Sequence, residues 1–221
     1  MIVAIDGPAG AGKSSVAQAS AAALGFGYLN SGAMYRCVAL AAQQSGRPPA
    51  ELAGALAIEP GSRVLLDGSD VSEAIRDPAI AGAASRVAAD PAVRAALVAK
   101  QRELLARGDW VAEGRDVGSV VAPDAELKLF LTAAADERVR RRAEQEAVAV
   151  DDVARELAER DRRDREREHS PLLTPAGAIE LDTTGLSLQQ VVERVVELAR
   201  ARGAQVPPVR DAAAAADGGA R

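Results

Sequence analysis

The chain has 221 residues, 48% hydrophobic but only 2% aromatic, which allows one or two globular domains with a core of Ala, Val, Leu and Ile. A net charge of −5, a single cysteine (Cys37) and a single histidine (His169) argue against a nucleic-acid surface, a disulfide, a multi-cysteine metal centre and a two-histidine zinc site. No apolar run reaches the ~18 residues of a membrane helix, and Met1–Asp6 has no basic region ahead of its apolar stretch, so no membrane partner and no export signal are expected and a cytoplasmic protein is.

Ile2–Ile5 is a short apolar run stopped by Asp6-Gly7-Pro8 and reads as a buried strand. Residues 13–24 are alanine-rich, lack Gly and Pro, and end at Gly25, which predicts a helix. Phe26–Leu29 is a second strand. Ser31 is expected to cap a helix through Val38 to about Gln44, stopped by Gly46 and Pro48-Pro49. Residues 56–77 read as small strands and turns, Val64-Leu65-Leu66 being the clearest, and 78–107 as two helices broken at Asp90-Pro91. Trp110–Ala112 and Leu127–Leu131 are strands, helices follow at about 135–147 and 151–168, Ala178–Leu181 is a last strand, and Leu188–Arg202 is an amphipathic helix. From Ala204 onward Pro207-Pro208, an alanine run and Gly218-Gly219 suggest a disordered tail. Short apolar strands alternating with helices imply an α/β fold with a parallel sheet covered on both faces. Ligands of such sheets sit at the carboxyl ends of the strands, where Gly7–Ser14, Asn30–Arg36, Glu113–Asp116, Thr132 and Asp182-Thr183 fall.

Gly7-Pro8-Ala9-Gly10-Ala11-Gly12-Lys13-Ser14 matches G-x-x-x-x-G-K-[ST], with an apolar strand before it and a helix after it. Glycines let backbone N–H groups turn inward around a phosphate, and the helix N-terminus points its positive end at the same anion. Lys13 adds a mobile charge for the outer phosphates, and the Ser14 hydroxyl suits Mg²⁺. Of the 27 basic residues only Lys13, Lys100 and Lys128 are lysines, so a lysine in this motif carries weight. The motif predicts binding of ATP with Mg²⁺, and by itself it leaves GTPases, motors, transport ATPases and small-molecule kinases open.

Other segments narrow the choice. No Asn-Lys-x-Asp guanine-reading element is present, and the strand at 110–112 ends in Glu113-Gly114-Arg115-Asp116 rather than Asp-Glu. Arginines stand at nearly every expected sheet end, which suits transfer between two charged phosphates, where neutralisation and in-line positioning do the work and an ionised acceptor needs no general base. Arg36 lies one turn inside a helix that follows Ser31 and Tyr35. Ser85 and Arg94 lie on the two helices of 78–107. Arg160, Arg163, Asp164 and Arg167 share one helical face. Taken singly these features keep bland readings: a solvated charged helix for 160–167, an ion pair for Arg115-Asp116, a small helix residue for Ser85. Arg138 and Arg140–Arg142 read as surface and helix C-terminal charges, His169 as a helix-end charge, Cys37 as a small buried residue, Trp110 and Tyr28 as core, and Tyr35 as packing near a base.

In order along the chain, IDGPAGAGKSS, LNSGAMYR, DVSEAIR, ASRVAADPAVR, VAEGRDVGSVVAPDAELKLFLTA, ERDRRDRER followed by SPL, and LDTTGLS make a specific set. Over residues 1 to about 202 the chain resembles the bacterial cytidylate kinases, nucleoside monophosphate kinases of the phosphate-loop class. Adenylate kinases share only the first segment and loose versions of the second and sixth.

The resemblance implies a three-layer α/β kinase fold with a five-stranded parallel sheet, a monophosphate-binding insert and a helical lid. Its parts would be core at 1–39, 101–134 and 171–203, the insert at 40–100, the lid at 135–170 and the tail at 204–221. It implies ATP-dependent phosphorylation of CMP and dCMP by a monomer, against two alternatives: another monophosphate acceptor (UMP or AMP), or nucleotide binding without turnover. Carried onto this chain, Gly7, Pro8, Ala9, Gly10, Ala11, Gly12, Lys13, Ser14 and Ser15 would hold ATP, with Ser14 on Mg²⁺. Ser31, Arg36 and Arg115 would hold the CMP phosphate. Ser85, Arg94 and Asp116 would read cytosine, with Tyr35 near the base. Arg160 and Asp164 would hold the sugar, and Lys13, Arg115, Arg160 and Arg167 would act on the transferring phosphoryl group. Two positions depart from the family pattern: Asn30 stands where Asp is usual, removing a charge near the metal and acceptor, and Glu113 stands where either Asp or Glu occurs.

Overall fold

A computed structural model describes residues 1–146, 149–168 and 170–205. Its centre is strand β1 (Ile2–Asp6), flanked by β6 (Trp110–Glu113) and β7 (Leu127–Thr132), with β2 (Gly27–Asn30) and β8 (Ile179–Asp182) at the edges. All four pairings in the order β2-β6-β1-β7-β8 are parallel. A central parallel strand is covered on both faces, which is why Ile2–Ile5 is apolar throughout rather than alternating. On one face Val3, Ile5, Leu127, Leu129 and Leu131 pack under α1 (Lys13–Leu24) and α8 (Leu188–Ala201). The two helices meet this layer through small side chains such as Ala17, Ala21 and Ala199, so aliphatic residues fill the core without aromatics. Ala4, Leu29 and Ala112 face the other way, onto Leu105, Val117 and Val121.

A second core lies beside the sheet. Helices α2 (Ser31–Ser45), α4 (Pro78–Val87) and α5 (Pro91–Leu105), with the short α3 (Pro49–Ala53), enclose Met34, Val38, Val93 and Leu97. A three-stranded antiparallel patch, β3 (Ile58–Glu59), β4 (Leu65–Leu66) and β5 (Ser69–Asp70), closes it. Asp67 and Gly68, both with positive φ, make the two-residue turn between β4 and β5, the backbone that Asp-Gly favours. Helices α6 (Ala135–Glu146) and α7 (Val150–Glu166) pack on each other and on the Gly7–Ser14 loop through Ala9, Ala143, Val153 and Leu157.

The sequence expectations need three corrections here. The N-cap of α2 is Asn30, whose side chain accepts from the Ala33 N–H at 2.9 Å, so Ser31 is the first helical residue and not the cap. Helix α2 ends at Ser45 with Gly46 as its cap, as expected, and the short α3 starts at Pro49, where proline presets φ for the first helical position. Helix α7 ends at Glu166, and Arg167 is already extended with ψ 131°. Ala204 packs on the core next to α8 instead of starting a frayed tail. The remaining tail, 206–221, and His169 lie outside the described residues. Val117–Val121 forms a π-turn that the sequence did not announce. No helix among the described residues is long and apolar enough to cross a membrane.

Leu129 is 0% exposed in the middle of the sheet. Leu129→Ala is expected to cost about 3 kcal/mol or more of stability, read from denaturant unfolding, because a parallel sheet held on two faces cannot collapse onto the void.

Candidate active site

The carboxyl edge of the sheet opens into a cavity of about 550 Å³, within the size range of small-molecule sites. Its floor is the Gly7–Ser14 loop. Gly7 has φ 148°, and a Cβ there would run into the Leu131 carbonyl oxygen, so the chain can leave β1 at this angle only as glycine. Gly10 and Gly12 are left-handed, and Gly12 caps α1 without any side-chain acceptor. The first-turn N–H groups of α1 are thus left for an anion in the cavity. Lys13 is buried and its Nζ donates to the Pro8 carbonyl at 2.6 Å. Burial, with Arg115 and Arg160 nearby, holds its ammonium well below the usual lysine range, and Glu113 and Asp164 only partly offset this. Ser14 and Ser15 remain exposed.

The helix pair α6–α7 grips this loop by its backbone. Asp161 Oδ1 accepts from the Ala9 N–H at 3.1 Å, and Arg138 Nη1 donates both to the Ala9 carbonyl at 2.8 Å and to Asp161 Oδ2 at 2.6 Å. Arg141 reaches from the same helix to the Thr183 carbonyl at 2.7 Å and the Thr183 hydroxyl at 3.0 Å. Arg141 and Arg142 line the cavity. The surface reading of these arginines is therefore corrected for 138, 141 and 142, which recur at three- and four-residue spacing and face the core. Only Arg140 is a surface charge, paired with Glu137 and Glu144.

The far end of the cavity is built from the second core and the loop after β6. Ser31 Oγ donates to the Glu113 carbonyl at 2.8 Å, and Arg36 Nη1 donates to the Ile75 carbonyl at 3.4 Å. Arg94 forms a buried ion pair with Asp116, donates to the Ala88 carbonyl at 3.3 Å, and lies 5.7 Å over the Tyr35 ring. Burial pushes the Tyr35 phenol up to about 12. The Ser85 hydroxyl is buried against the cavity with no hydrogen-bond partner. Between the two ends Arg115 Nε donates to Asp164 Oδ2 at 2.7 Å, and Arg167 stands 3.8 Å from Asp164 Oδ1. Burial opposes ionisation of Asp164, yet Arg115, Arg167 and Arg160 hold its carboxyl below the usual range. Burial, with Arg115 and Arg36 beside it, brings the Arg160 guanidinium down to about 10. Arg167 Nε and Nη2 are buried with no hydrogen-bond partner.

All the site residues named from the sequence line this cavity except Gly7 and Pro8, at the start of the loop. Arg163, sharing the helix with Arg160, instead pairs with Glu159 at 3.3 Å. Sequence reasoning missed Arg141 and Arg142, placed Thr183 only at a strand end, and read Tyr28 as core, where its ring does pack. The Tyr28 hydroxyl donates to Glu113 Oε1 at 2.7 Å and accepts from Asn30 Nδ2 at 3.2 Å, tying the ends of β2 and β6 together at the cavity. Its position on a strand that ends at the site was the available signal.

The family model described as Cytidylate kinase matches residues 3–201. The chain belongs to the cytidylate kinase family. It is 43% identical over 217 residues to a cytidylate kinase of Solibacter usitatus (strain Ellin6076), covering 91% of this chain and 93% of the relative. It is 42% identical over 223 residues to a cytidylate kinase of Geobacter sulfurreducens, covering 94% and 96%. It is also 46% identical over 219 residues to a bifunctional pantoate ligase/cytidylate kinase of Parasynechococcus marenigrum (strain WH8102). That match covers 91% of this chain and 44% of the relative, so the chain spans less than half the length of the bifunctional protein. Solved structures of an uncharacterised protein from Eubacterium ventriosum (13% identity, TM-score 0.56, 90% of this chain and 98% of that one) and of a protein from Thermus thermophilus (18%, 0.51, 93% and 98%) share the fold.

The family leaves the lid contact to be tested on this chain. Arg138→Ala strands the buried Asp161 carboxylate without its cation, and is expected to cost on the order of 3 kcal/mol. Hydrogen exchange should show faster exchange in α6 and α7, with β1 and β7 unchanged.

Proposed function

We propose that the chain transfers the γ-phosphoryl group of ATP to CMP or dCMP, giving ADP and CDP or dCDP. The observation that carries this reading is that the buried Arg94–Asp116 pair and the Ser85 hydroxyl, without a hydrogen-bond partner among the described residues, line the same cavity as the glycine-rich loop. Cytosine offers an N4 amine that the Asp116 carboxylate accepts, and O2 and N3 acceptors that Arg94 and Ser85 serve. Uracil reverses the pattern at N3 and position 4, so it would leave buried groups unpaired.

In this reading Gly7–Ser15 hold the ATP phosphates, Ser31, Arg36 and Arg115 the acceptor phosphate, and Arg160 and Asp164 the sugar. Lys13, Arg115, Arg160 and Arg167 surround the group in transit. A phosphate acceptor is already ionised at neutral pH, so cations and in-line placement suffice. No group of three or more His, Cys, Asp or Glu among the described residues could hold a metal ion. Mg²⁺ would arrive with the triphosphate. Ser14, exposed at the start of α1, is the side chain to hold it, and the ion supplies charge neutralisation to the outer phosphates. The insert at 40–100 and the lid at 135–170 close over the substrates and exclude water, so that ATP is not hydrolysed instead.

An acceptor panel tests the reading directly. With ATP and Mg²⁺, CMP and dCMP should turn over far faster than UMP or AMP, and strong AMP turnover without CMP turnover would end the assignment. Arg115→Ala should lower kcat by ~10³-fold or more with ATP affinity largely kept, and a loss below tenfold would contradict the role given to Arg115.

A further inference from the structure

Asp6 closes β1 immediately before the glycine-rich loop and is 0% exposed. Both of its oxygens are committed to one piece of backbone across the sheet: Oδ1 accepts from the Val117 N–H at 2.8 Å and Oδ2 from the Gly118 N–H at 2.7 Å. Those two N–H groups open the π-turn Val117–Val121, where a helical turn has no internal partner for them. The two residues just before the turn are Arg115 and Asp116. Turns of this type inside proteins concentrate at functional sites. Position 118 is built around the same carboxylate: a Cβ there would stand 3.3 Å from Asp6 Oδ2 and 3.1 Å from Pro175 Cγ.

The arrangement works against stability. Burial raises the Asp6 carboxyl to about 6, with the two backbone N–H bonds opposing and the Asp116 charge adding to the rise, while Lys13 lowers it. An acid whose folded pKa lies above its unfolded one makes stability fall as pH rises from about 4 through 6, so the ionised form present at neutral pH is a cost. A group kept at a cost, and aimed at the two amides that follow Arg115 and Asp116, points to a role in the site.

We propose that Asp6 is a positioning residue for the acceptor: by gripping the Val117 and Gly118 amides it fixes the loop that carries Arg115 and Asp116 to the strand that carries the glycine-rich loop, so that both nucleotides are held in one frame. The inference rests on the CMP kinase reading for its kinetic consequences, and on geometry alone for the tethering of the loop. Asp6→Asn keeps size and one acceptor but turns an amine toward one of the two N–H groups.

The test uses the full chain, with circular dichroism to confirm folding. Asp6→Asn is expected to raise KM for CMP by about 10- to 100-fold, the scale of loss from misplacing a site group by about 1 Å. The affinity for a fluorescent ATP analogue should stay within about twofold, because the loop at 7–14 keeps its own contacts. Hydrogen exchange at Val117 and Gly118 should speed up, with the amides of 9–15 unchanged. Gly118→Ala, which presses a methyl onto Asp6 Oδ2, should give the same split in milder form and stands in if Asp6→Asn does not fold. Equal losses in CMP and ATP affinity, or unchanged exchange at 117 and 118, would overturn the proposal. Wild-type protein that does not phosphorylate CMP would instead sink the kinase reading, and the exchange experiment would still decide whether Asp6 holds the loop.

Discussion

Ammonium and guanidinium groups from separate parts of the chain converge on one cavity, and their mutual repulsion is the constraint around which the site is arranged. Lys13 starts α1, Arg36 sits in α2, Arg94 in α5, Arg115 after β6, and Arg160 and Arg167 in and just beyond α7. Lys13 and Arg160 are both held below their ordinary proton affinities by burial and by their cationic neighbours. Asp116 pairs with Arg94, and Asp164 with Arg115 and Arg167, as two counter-charges among six cations. A site in this condition gains most from highly charged ligands, because each phosphate brought in relieves repulsion already built into the protein. Because the cations come from different elements, ligands that bridge them would draw those elements together.

The central strand is where these parts are joined. Its last residue holds the Val117–Gly118 backbone, the loop that follows it is held at Ala9 by Arg138 and Asp161, and its neighbour β6 ends at Glu113, which is bound by Tyr28. These contacts hold the parts of the site stiffly against the end of one strand. That stiffness suits chemistry in which placement of two phosphates, and not a proton transfer, supplies the rate.

What the sequence made legible follows from how local each signal is. The glycine-rich loop is a contiguous motif with a fixed strand and helix on either side, and the five short runs marked the five strands because strands buried in a parallel sheet are largely apolar, Lys128 and Glu180 excepted. Ser85, Arg94 and Asp116 could be named together only through the family pattern, since they lie on three elements that meet in space. The strand at Val64-Leu65-Leu66 was read from its apolar run, but Ser69–Asp70 is two polar residues with no periodicity to read, although Asp67-Gly68 before it is a turn signal that sequence reasoning left unused. The π-turn at 117–121 depends on Asp6, a partner 111 residues away, and no local pattern announces it. Arg141 and Arg142 were hidden in a run of charges whose facing direction is set by how α6 docks.

A crystal structure of the protein with CMP and a non-hydrolysable ATP analogue tests the central claim most directly. The account predicts a cytosine ring within hydrogen-bonding distance of Asp116, Arg94 and Ser85, and a CMP phosphate beside Arg115 that faces the outer phosphate held at Lys13. A base bound away from Asp116 and Arg94, or two nucleotides whose phosphates do not face each other across Arg115, would contradict it.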